Sequence, residues 1–296
     1  STPPTTAPAT RQAVLMTKDL LAAGLYEPAA LHLDLHDAKR NIDLPIKVRY
    51  PATVPSTAAP LPILIFSHGS GGSREAFPEL TSLLASRGYV VILPSHADSI
   101  ALRIQKGERP KLSDPNEIVR QVRLMDRLAD VVLILDSLET IESRLAGDGP
   151  ATRPASLPAD PRKGQPAIQL DRSRIAMAGH SAGALTTAFA AGAKVRTRVL
   201  APPASVGDAR IRAVILISGG TNNFYFSKDS WSELAMPLLV ITGSQDTTNY
   251  LSKETPESRR LPYDLAKPGD KYLLFIEGAT HGSYAGKNIA NALGEK

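Results

Sequence analysis

Short runs rich in β-branched and other apolar residues recur along the chain, and helical stretches separate them. These runs cover residues 46–50, 63–67, 89–93, 174–178, 213–218, 238–242 and 272–276. From residue 89 onward several runs are almost continuously apolar, as parallel strands buried on both faces are. The alternation of strand and helix predicts an α/β fold, with a mostly parallel central sheet flanked by helices on both faces.

The composition is that of a folded globular chain. Of the 296 residues, 43% are hydrophobic and 21% are charged, which excludes general disorder. We expect one domain over residues 13–296, after a flexible tail, residues 1–12, rich in serine, threonine, proline and alanine. Residues 147–171 are rich in proline and without periodicity, which predicts a long loop and a candidate lid. The composition of the tail favours a secreted or periplasmic protein, and a linker or cloning remnant is the alternative.

Several classes of function are excluded by what the chain lacks. It has no cysteine, which excludes disulfides, thiolate nucleophiles and zinc fingers. The net charge is +5, but the basic residues are scattered, so no nucleic-acid partner is expected. No apolar run reaches the ~18 residues of a membrane span. Metal-binding and nucleotide-binding motifs are missing, so we expect no metal and no cofactor, in a monomer or weak homo-oligomer.

The clearest predicted helix covers residues 115–144. Asp114 is its expected N-cap, Pro115 its first residue, and Glu117 stands at the capping-box position. Apolar residues recur at three- and four-residue steps and predict one core-facing stripe. These residues are Ile118, Val122, Met125, Ala129, Val132 and Leu133.

The pentapeptide Gly179-His180-Ser181-Ala182-Gly183 follows the predicted strand 174–178 and precedes a stretch of small helical residues. This is the G-x-S-x-G pattern in a strand–turn–helix setting, which presents a serine as a nucleophile. Glycines are needed because the turn is tight and larger side chains would collide with the neighbouring strand and helix. Ser181 is therefore the predicted nucleophile, and an idle serine in a glycine-rich turn is the alternative.

A serine at neutral pH needs a neighbouring base, and the chain has 6 histidines. His281 lies in a turn just after the last predicted strand, at the sheet edge expected for the serine, and is the predicted base. His96 is the second candidate and is also expected to line the cleft. His68 and His180 lie in glycine-rich turns that they are expected to shape, and His180 is also a candidate substrate contact.

The base in turn needs a carboxylate that holds its tautomer. Asp246 follows the predicted strand 238–242. The chain order Ser181, Asp246, His281 is typical of hydrolases whose serine lies in a G-x-S-x-G turn. Asp246 could instead cap a turn, in which case Glu254 and Glu257 are the remaining candidates.

Two backbone amides are needed to bind an oxyanion. One is predicted at Ala182, directly after the nucleophile. The other is expected in the glycine-rich loop 68–73, at Ser70, with Gly69 as the alternative. The loop lacks the spacing and the lysine of a phosphate-binding loop, so nucleotide binding is not expected.

Five stretches together resemble the α/β-hydrolase superfamily. They cover residues 65–72, 84–92, 179–183, 240–246 and 272–281. Within the superfamily, the chain is most similar to bacterial predicted dienelactone hydrolases, cutinase-like polyesterases and platelet-activating-factor acetylhydrolase-like enzymes. The resemblance implies the α/β-hydrolase fold and ester hydrolysis without a cofactor.

The chain also departs from each of these groups. Dienelactone hydrolases use a cysteine nucleophile, which is absent here. Platelet-activating-factor acetylhydrolases take their acid from the loop after the strand that follows the nucleophile turn. In this chain the corresponding residues 218–224 contain no acid. Cutinases usually have an aromatic residue and a methionine where this chain has Ser70 and Ala182.

The predicted activity is that of a serine carboxylic-ester hydrolase on short- to medium-chain esters. Polyester hydrolysis, lipid-ester or acetyl-ester hydrolysis, and cleavage of amide, lactone or carbon–carbon bonds are alternatives, because a triad does not select the bond. A binding protein on a hydrolase scaffold is the alternative of another class. Phe224, Tyr225, Phe226 and Trp231 are candidates to line an acyl or aryl pocket, or they pack under a surface helix.

Overall fold

The computed structural model describes residues 24–55, 57–146, 167–194, 207–219, 226, 228–249 and 253–285. The predicted tail 1–12, most of the predicted loop 147–171, Phe224 and Tyr225 lie outside the described residues. Within the described residues, no helix has the length and apolar character needed to cross a membrane.

The described strands form one large sheet and a small two-stranded ribbon. The large sheet contains β1 Pro28–Asp37, β2 Ile42–Pro51, β3 Leu61–Ser67, β4 Val90–Pro94, β5 Leu170–His180, β6 Ile211–Ile217, β7 Leu238–Gln245 and β10 Lys271–Thr280. The ribbon pairs β8 Thr248–Asn249 with β9 Lys253–Glu254.

The strand order of the large sheet is β1-β2-β4-β3-β5-β6-β7-β10. Pairing is antiparallel for β1 with β2 and β2 with β4, and parallel from β4 to β10. The predicted, mostly parallel sheet is confirmed. The early segment that contains His32 and His36 is an edge strand, β1, in which Leu33 and Leu35 are buried and Asp34 and His36 are exposed.

Described helices cover the sheet. They are α1 Pro78–Ser86, α2 Ile100–Gln105, α3 Pro115–Arg120, α4 Leu124–Asp136, α5 Leu138–Leu145, α6 Ala182–Ala190 and α7 Pro256–Leu265. Alternate residues of one strand enter different hydrophobic clusters: Ile63 and Ile65 of β3 pack in one, and Leu64 and Phe66 in the other. Successive side chains of a strand point to opposite faces, so both faces of the sheet are covered, as predicted.

The prediction of a single helix over residues 115–144 is wrong. The chain forms three helices there, and α4 begins again after an extended Arg123. This restart changes which face is buried: Met125 and Val132 are 45% and 36% exposed, while Leu124, Leu128 and Val131 are buried.

The helix α3 begins where the sequence predicts, with Asp114 as N-cap and Pro115 as its first residue. The carboxylate of Asp114 accepts hydrogen bonds from the amides of Asn116 and Glu117, which confirms the predicted N-cap. The Glu117 side chain does not form the expected capping box, because it accepts from Arg103 and from the amide of Lys111 instead.

Candidate active site

Ser181 stands at the turn between the end of β5 and the start of α6. Its φ of 54° and ψ of −117° lie outside the usual regions for a residue with a side chain, a strain of about 1–3 kcal/mol that is common at functional sites. Hydrogen bonds fix the turn, since the Ser181 amide donates to Ile217 O at 3.0 Å and its carbonyl accepts from Leu185 N at 3.1 Å.

The two glycines of the pentapeptide are required by close packing. A Cβ on Gly179 would lie 2.2 Å from the carbonyl oxygen of Gly183, and a Cβ on Gly183 would lie 1.9 Å from that of Ser67. Real atoms do not approach so closely, so no larger residue fits at either position without moving the backbone. The strand and helix therefore hold Ser181 rigidly, as the sequence pattern predicts.

The structure brings the predicted nucleophile, base and acid together. His281 Nε2 lies 3.0 Å from Ser181 Oγ, and His281 Nδ1 lies 3.1 Å from Asp246 Oδ1. Asp246 follows β7 and His281 follows β10, so both come from loops at the carboxyl edge of the sheet. The alternative acids lie elsewhere: Glu254 accepts from Ser258, and Glu257 is in the first turn of α7.

Asp246 is fully buried and is surrounded by donors. Thr242 Oγ1 donates to its Oδ2 at 2.9 Å, and Arg259 Nε lies 2.8 Å from its Oδ1. Burial raises the pKa of Asp246, but the hydrogen bond from His281 and the charge of Arg259 outweigh burial and leave the pKa below its ordinary value. Asp246 is therefore ionised at neutral pH, as the partner of an imidazolium must be.

Sequence reasoning missed three residues around this carboxylate: Thr242, Arg259 and Ser218. Ser218 follows β6 and its hydroxyl contacts both Asp246 and His281. Arg259 reaches the same group from α7. No motif marks these positions; the one available signal is that Ser218 lies at the carboxyl end of a strand next to β5.

His180 supports the loop of the base. Its Nε2 donates to the carbonyl oxygen of His281 at 3.0 Å, and its ring lies between those of Phe77 and His281. Burial and the nearby His281 lower the pKa of His180 to about 3, so this ring is neutral at neutral pH. It shapes the turn as expected, and its contact with substrate stays a prediction.

The loop after β3 lies directly against the nucleophile. A Cβ on Gly69 would lie 3.1 Å from His180 Nδ1 and 3.6 Å from Ser181 Cβ. The amide of Gly71 donates to Asp98 and that of Gly72 to Gly69 O. In the part of the chain that the structure describes, the amides of Ser70 and Ala182 make no such bond. The same holds for the amide of Gly69. The predicted amides are therefore available to bind an oxyanion, and the choice between Ser70 and Gly69 stays a prediction.

A buried arginine, Arg127, fixes the backbone of this loop. The guanidinium of Arg127 donates to His68 O at 2.7 Å and to Gly69 O at 3.2 Å, and it pairs with Asp98 at 2.7 Å. Burial opposes ionisation of Asp98, but the charge of Arg127 outweighs it and holds the pKa of Asp98 well below its ordinary value. Asp98 in turn accepts from the amide of Gly71, so the ion pair fixes both sides of the loop.

Two predicted substrate contacts lie in the interior, and those predictions are wrong. His96 is fully buried, with Nε2 2.9 Å from Ser67 Oγ and Nδ1 2.7 Å from Asp130 Oδ2. Trp231 is also fully buried and stacks on Phe226. Both side chains belong to the packed interior, because neither has surface left for a ligand. Among the described residues, no group of three or more histidines and carboxylates is placed to hold a metal.

The site contains a strained serine between a strand and a helix, with a histidine and a carboxylate on later loops. On a mostly parallel sheet, this arrangement defines the α/β-hydrolase class. The likeness extends to solved structures. The chain resembles the "Putative Dienelactone Hydrolase" from Klebsiella pneumoniae subsp. pneumoniae MGH 78578 with a TM-score of 0.54 and 14% identity. The likeness covers 91% of this chain and 99% of the other. At this identity, it supports the fold alone.

The sequence comparison identifies the family. Residues 38–291 match the family described as "Platelet-activating factor acetylhydrolase, isoform II", and the chain belongs to that family. It is also 31% identical over 83 residues to a "Putative phospholipase A2" of Schizosaccharomyces pombe (strain 972 / ATCC 24843). That match covers 28% of this chain and 19% of the yeast protein, so it spans about a fifth of the relative's length.

Proposed function

We propose that this protein is a serine carboxylic-ester hydrolase that acts through an acyl-enzyme. The observation that carries the proposal is the 3.0 Å contact between His281 Nε2 and the strained, half-buried Ser181. A base within hydrogen-bond reach is what makes a serine nucleophilic at neutral pH. Membership of a family named for an acetylhydrolase supports ester hydrolysis over a binding role.

In the first half of the reaction, Ser181 Oγ attacks the ester carbonyl carbon while its proton moves to His281 Nε2. The negative charge that forms on the carbonyl oxygen is held by the amides of Ser70 and Ala182. When the carbon–oxygen bond to the alcohol breaks, His281 returns the proton to the departing oxygen. The product alcohol leaves, and the acyl group stays on Ser181.

In the second half, water replaces the alcohol. His281 takes a proton from the water as its oxygen attacks the acyl carbon, and the bond to Ser181 Oγ breaks. The proton then passes to Ser181, which regenerates the enzyme and releases the acid. Asp246 stabilises the imidazolium in both halves because its low pKa keeps it ionised.

Short- to medium-chain esters are the proposed substrates. The family description and the yeast relative make acetyl esters and phospholipid esters the second group of candidates. Polyester hydrolysis has weaker support, because Trp231, a candidate to line an acyl or aryl pocket, is fully buried.

The test is hydrolysis of p-nitrophenyl esters with two to sixteen acyl carbons, with Ser181→Ala assayed beside the wild type. We expect an optimum at short or medium chains that disappears in the variant. An optimum at sixteen carbons would move the proposal to lipid esters. Wild-type turnover that persists in Ser181→Ala would contradict the mechanism.

A further inference from the structure

Ser218 is held in an unusual backbone conformation at the end of β6. Its φ is 51°, in the left-handed region that residues with side chains rarely adopt. Its amide donates to Ile241 O at 2.8 Å, and its carbonyl oxygen accepts from Arg259 Nη1 at 2.5 Å. These bonds, together with full burial, keep the residue in this strained geometry.

The conformation places the hydroxyl between the base and the acid. Ser218 Oγ lies 2.6 Å from His281 Nδ1, and 2.7 and 2.6 Å from the two carboxylate oxygens of Asp246. The direct distance from His281 Nδ1 to Asp246 Oδ1 is longer, at 3.1 Å. The nearest acceptor for the Nδ1 proton is therefore the serine hydroxyl.

The direction of these bonds follows from the protonation of the carboxylate. Asp246 is ionised and can only accept, so the single hydroxyl proton of Ser218 points to it. The lone pairs of Ser218 Oγ then remain to accept the Nδ1 proton of His281. This arrangement leaves the lone pair on Nε2 directed at Ser181.

We propose that Ser218 is a positioning residue that links His281 to Asp246 and holds His281 in its Nδ1–H tautomer. This inference rests on the proposed function of Ser181 and His281. No proton leaves Ser218 or Nδ1 during turnover, because the transferred proton resides on Nε2. Arg259 and Thr242 already donate to Asp246, which weakens it as an acceptor and increases the value of a second acceptor.

The first experiment removes the hydroxyl. Ser218→Ala is expected to lower kcat by about 10- to 100-fold, as the loss of one hydrogen bond to a charged group does, with KM nearly unchanged. Ser218→Gly removes the same hydroxyl and relieves the positive φ, so its fold is less strained and its kcat should fall equally.

Ser99→Ala is the matched control. Ser99 is fully buried, and within the described residues its hydroxyl has no hydrogen-bond partner. This variant should keep the wild-type kcat. A kcat for Ser218→Ala and Ser218→Gly within twofold of the Ser99→Ala value would overturn the proposal.

The second experiment moves the acid to position 218. Asp246→Asn removes the charge, and adding Ser218→Asp returns a carboxylate beside His281 Nδ1. Aspartate tolerates the left-handed region better than most residues. We expect the double variant to recover at least about tenfold in kcat over Asp246→Asn alone, which a purely structural Ser218 would not explain.

The two proposals fail in different ways. Full turnover by Ser181→Ala would overturn the proposed function, and this inference with it. An inactive Ser181→Ala beside fully active Ser218→Ala and Ser218→Gly would overturn only the role of Ser218. An inactive double variant that is no better than Asp246→Asn, at an equal Tm, would also count against it.

Discussion

The described part of the chain contains two Ser–His–Asp arrangements with nearly the same geometry. In the candidate active site, Ser181 Oγ lies 3.0 Å from His281 Nε2, and His281 Nδ1 lies 3.1 Å from Asp246. The second set, Ser67, His96 and Asp130, lies in the interior. There Ser67 Oγ lies 2.9 Å from His96 Nε2, and His96 Nδ1 lies 2.7 Å from Asp130 Oδ2.

Their surroundings separate a catalytic from a structural role. Ser181 is half-buried, strained and next to amides without partners, whereas Ser67 is fully buried and lies 3.4 Å from Arg127 Nη1. Burial and the charge of Arg127 lower the pKa of His96. We therefore propose that access and an oxyanion site, rather than hydrogen bonding alone, distinguish the candidate catalytic set from the interior one. His96 of the interior set also contacts the start of the loop 68–73, because its backbone amide donates to His68 Nε2 at 3.0 Å.

The largest expected difference between the two sets is in turnover. Ser181→Ala should lower kcat by about 10⁶-fold, the loss typical of a nucleophile in a triad. Ser67→Ala should leave kcat close to that of the wild type and lower the free energy of unfolding by about 1–3 kcal/mol, because it leaves the buried His96 Nε2 without its hydrogen-bond partner. Ester hydrolysis and urea denaturation measure the two effects. Equal losses of kcat would remove the distinction between the sets.

The two sets meet at Gly183, and a substitution there should disturb both. Gly183→Ala places a Cβ against the carbonyl oxygen of Ser67, in a site with no room for it. We expect no folded soluble protein, as judged by circular dichroism and gel filtration. Gly107→Ala is the control: a Cβ there meets nothing within 4 Å, so the positive φ alone should cost about 1 kcal/mol. A folded Gly183→Ala protein would show that residues 179–183 pack less tightly than these distances indicate.

The ion pair between Arg127 and Asp98, which holds the loop 68–73, should affect stability more than turnover. Arg127→Met leaves the charge of Asp98 buried without its partner, which should lower the free energy of unfolding by about 3–5 kcal/mol. Adding Asp98→Asn removes that charge and should recover part of the loss. Urea denaturation of both variants tests this. A double variant less stable than Arg127→Met would contradict the assignment.

The smallest predicted effect is on the pH dependence of stability. Burial lowers the pKa values of His68, His96 and His180, so all three are neutral when folded. The unfolded chain binds protons on them below about pH 6.5, which means that stability falls as the pH drops through this value. Acidification from pH 7 to 6 should cost about 0.7 kcal/mol for each of His68 and His180, and the lowered pKa of His96 acts in the same direction. Tm measured across this range should fall, and a flat Tm would contradict the assignment.

The sequence predicted the parts of the site that follow strands. Ser181, Asp246 and His281 each come directly after a strand, and parallel strands end at one edge, so their meeting could be foreseen. Ser218 and Arg259 could not be recognised, because their roles depend on a positive φ and on a contact from a distant helix.

Burial was the other feature that the sequence did not disclose. His96 and Trp231 follow strands as cleft residues do, and only the packing around them shows that they are interior. The break between α3 and α4 was missed for a related reason. Apolar residues recur across it at helical spacing, although an extended Arg123 starts a new helix in between.

Ser181 is tested most directly as the nucleophile by its reaction with a fluorophosphonate, with the modified residue identified by mass spectrometry of the digested protein. We expect one adduct, on Ser181, which is lost in Ser181→Ala and kept in Ser67→Ala. An adduct on Ser67, or labelling that survives in Ser181→Ala, would contradict the central claim that position, rather than hydrogen bonding alone, makes Ser181 the nucleophile.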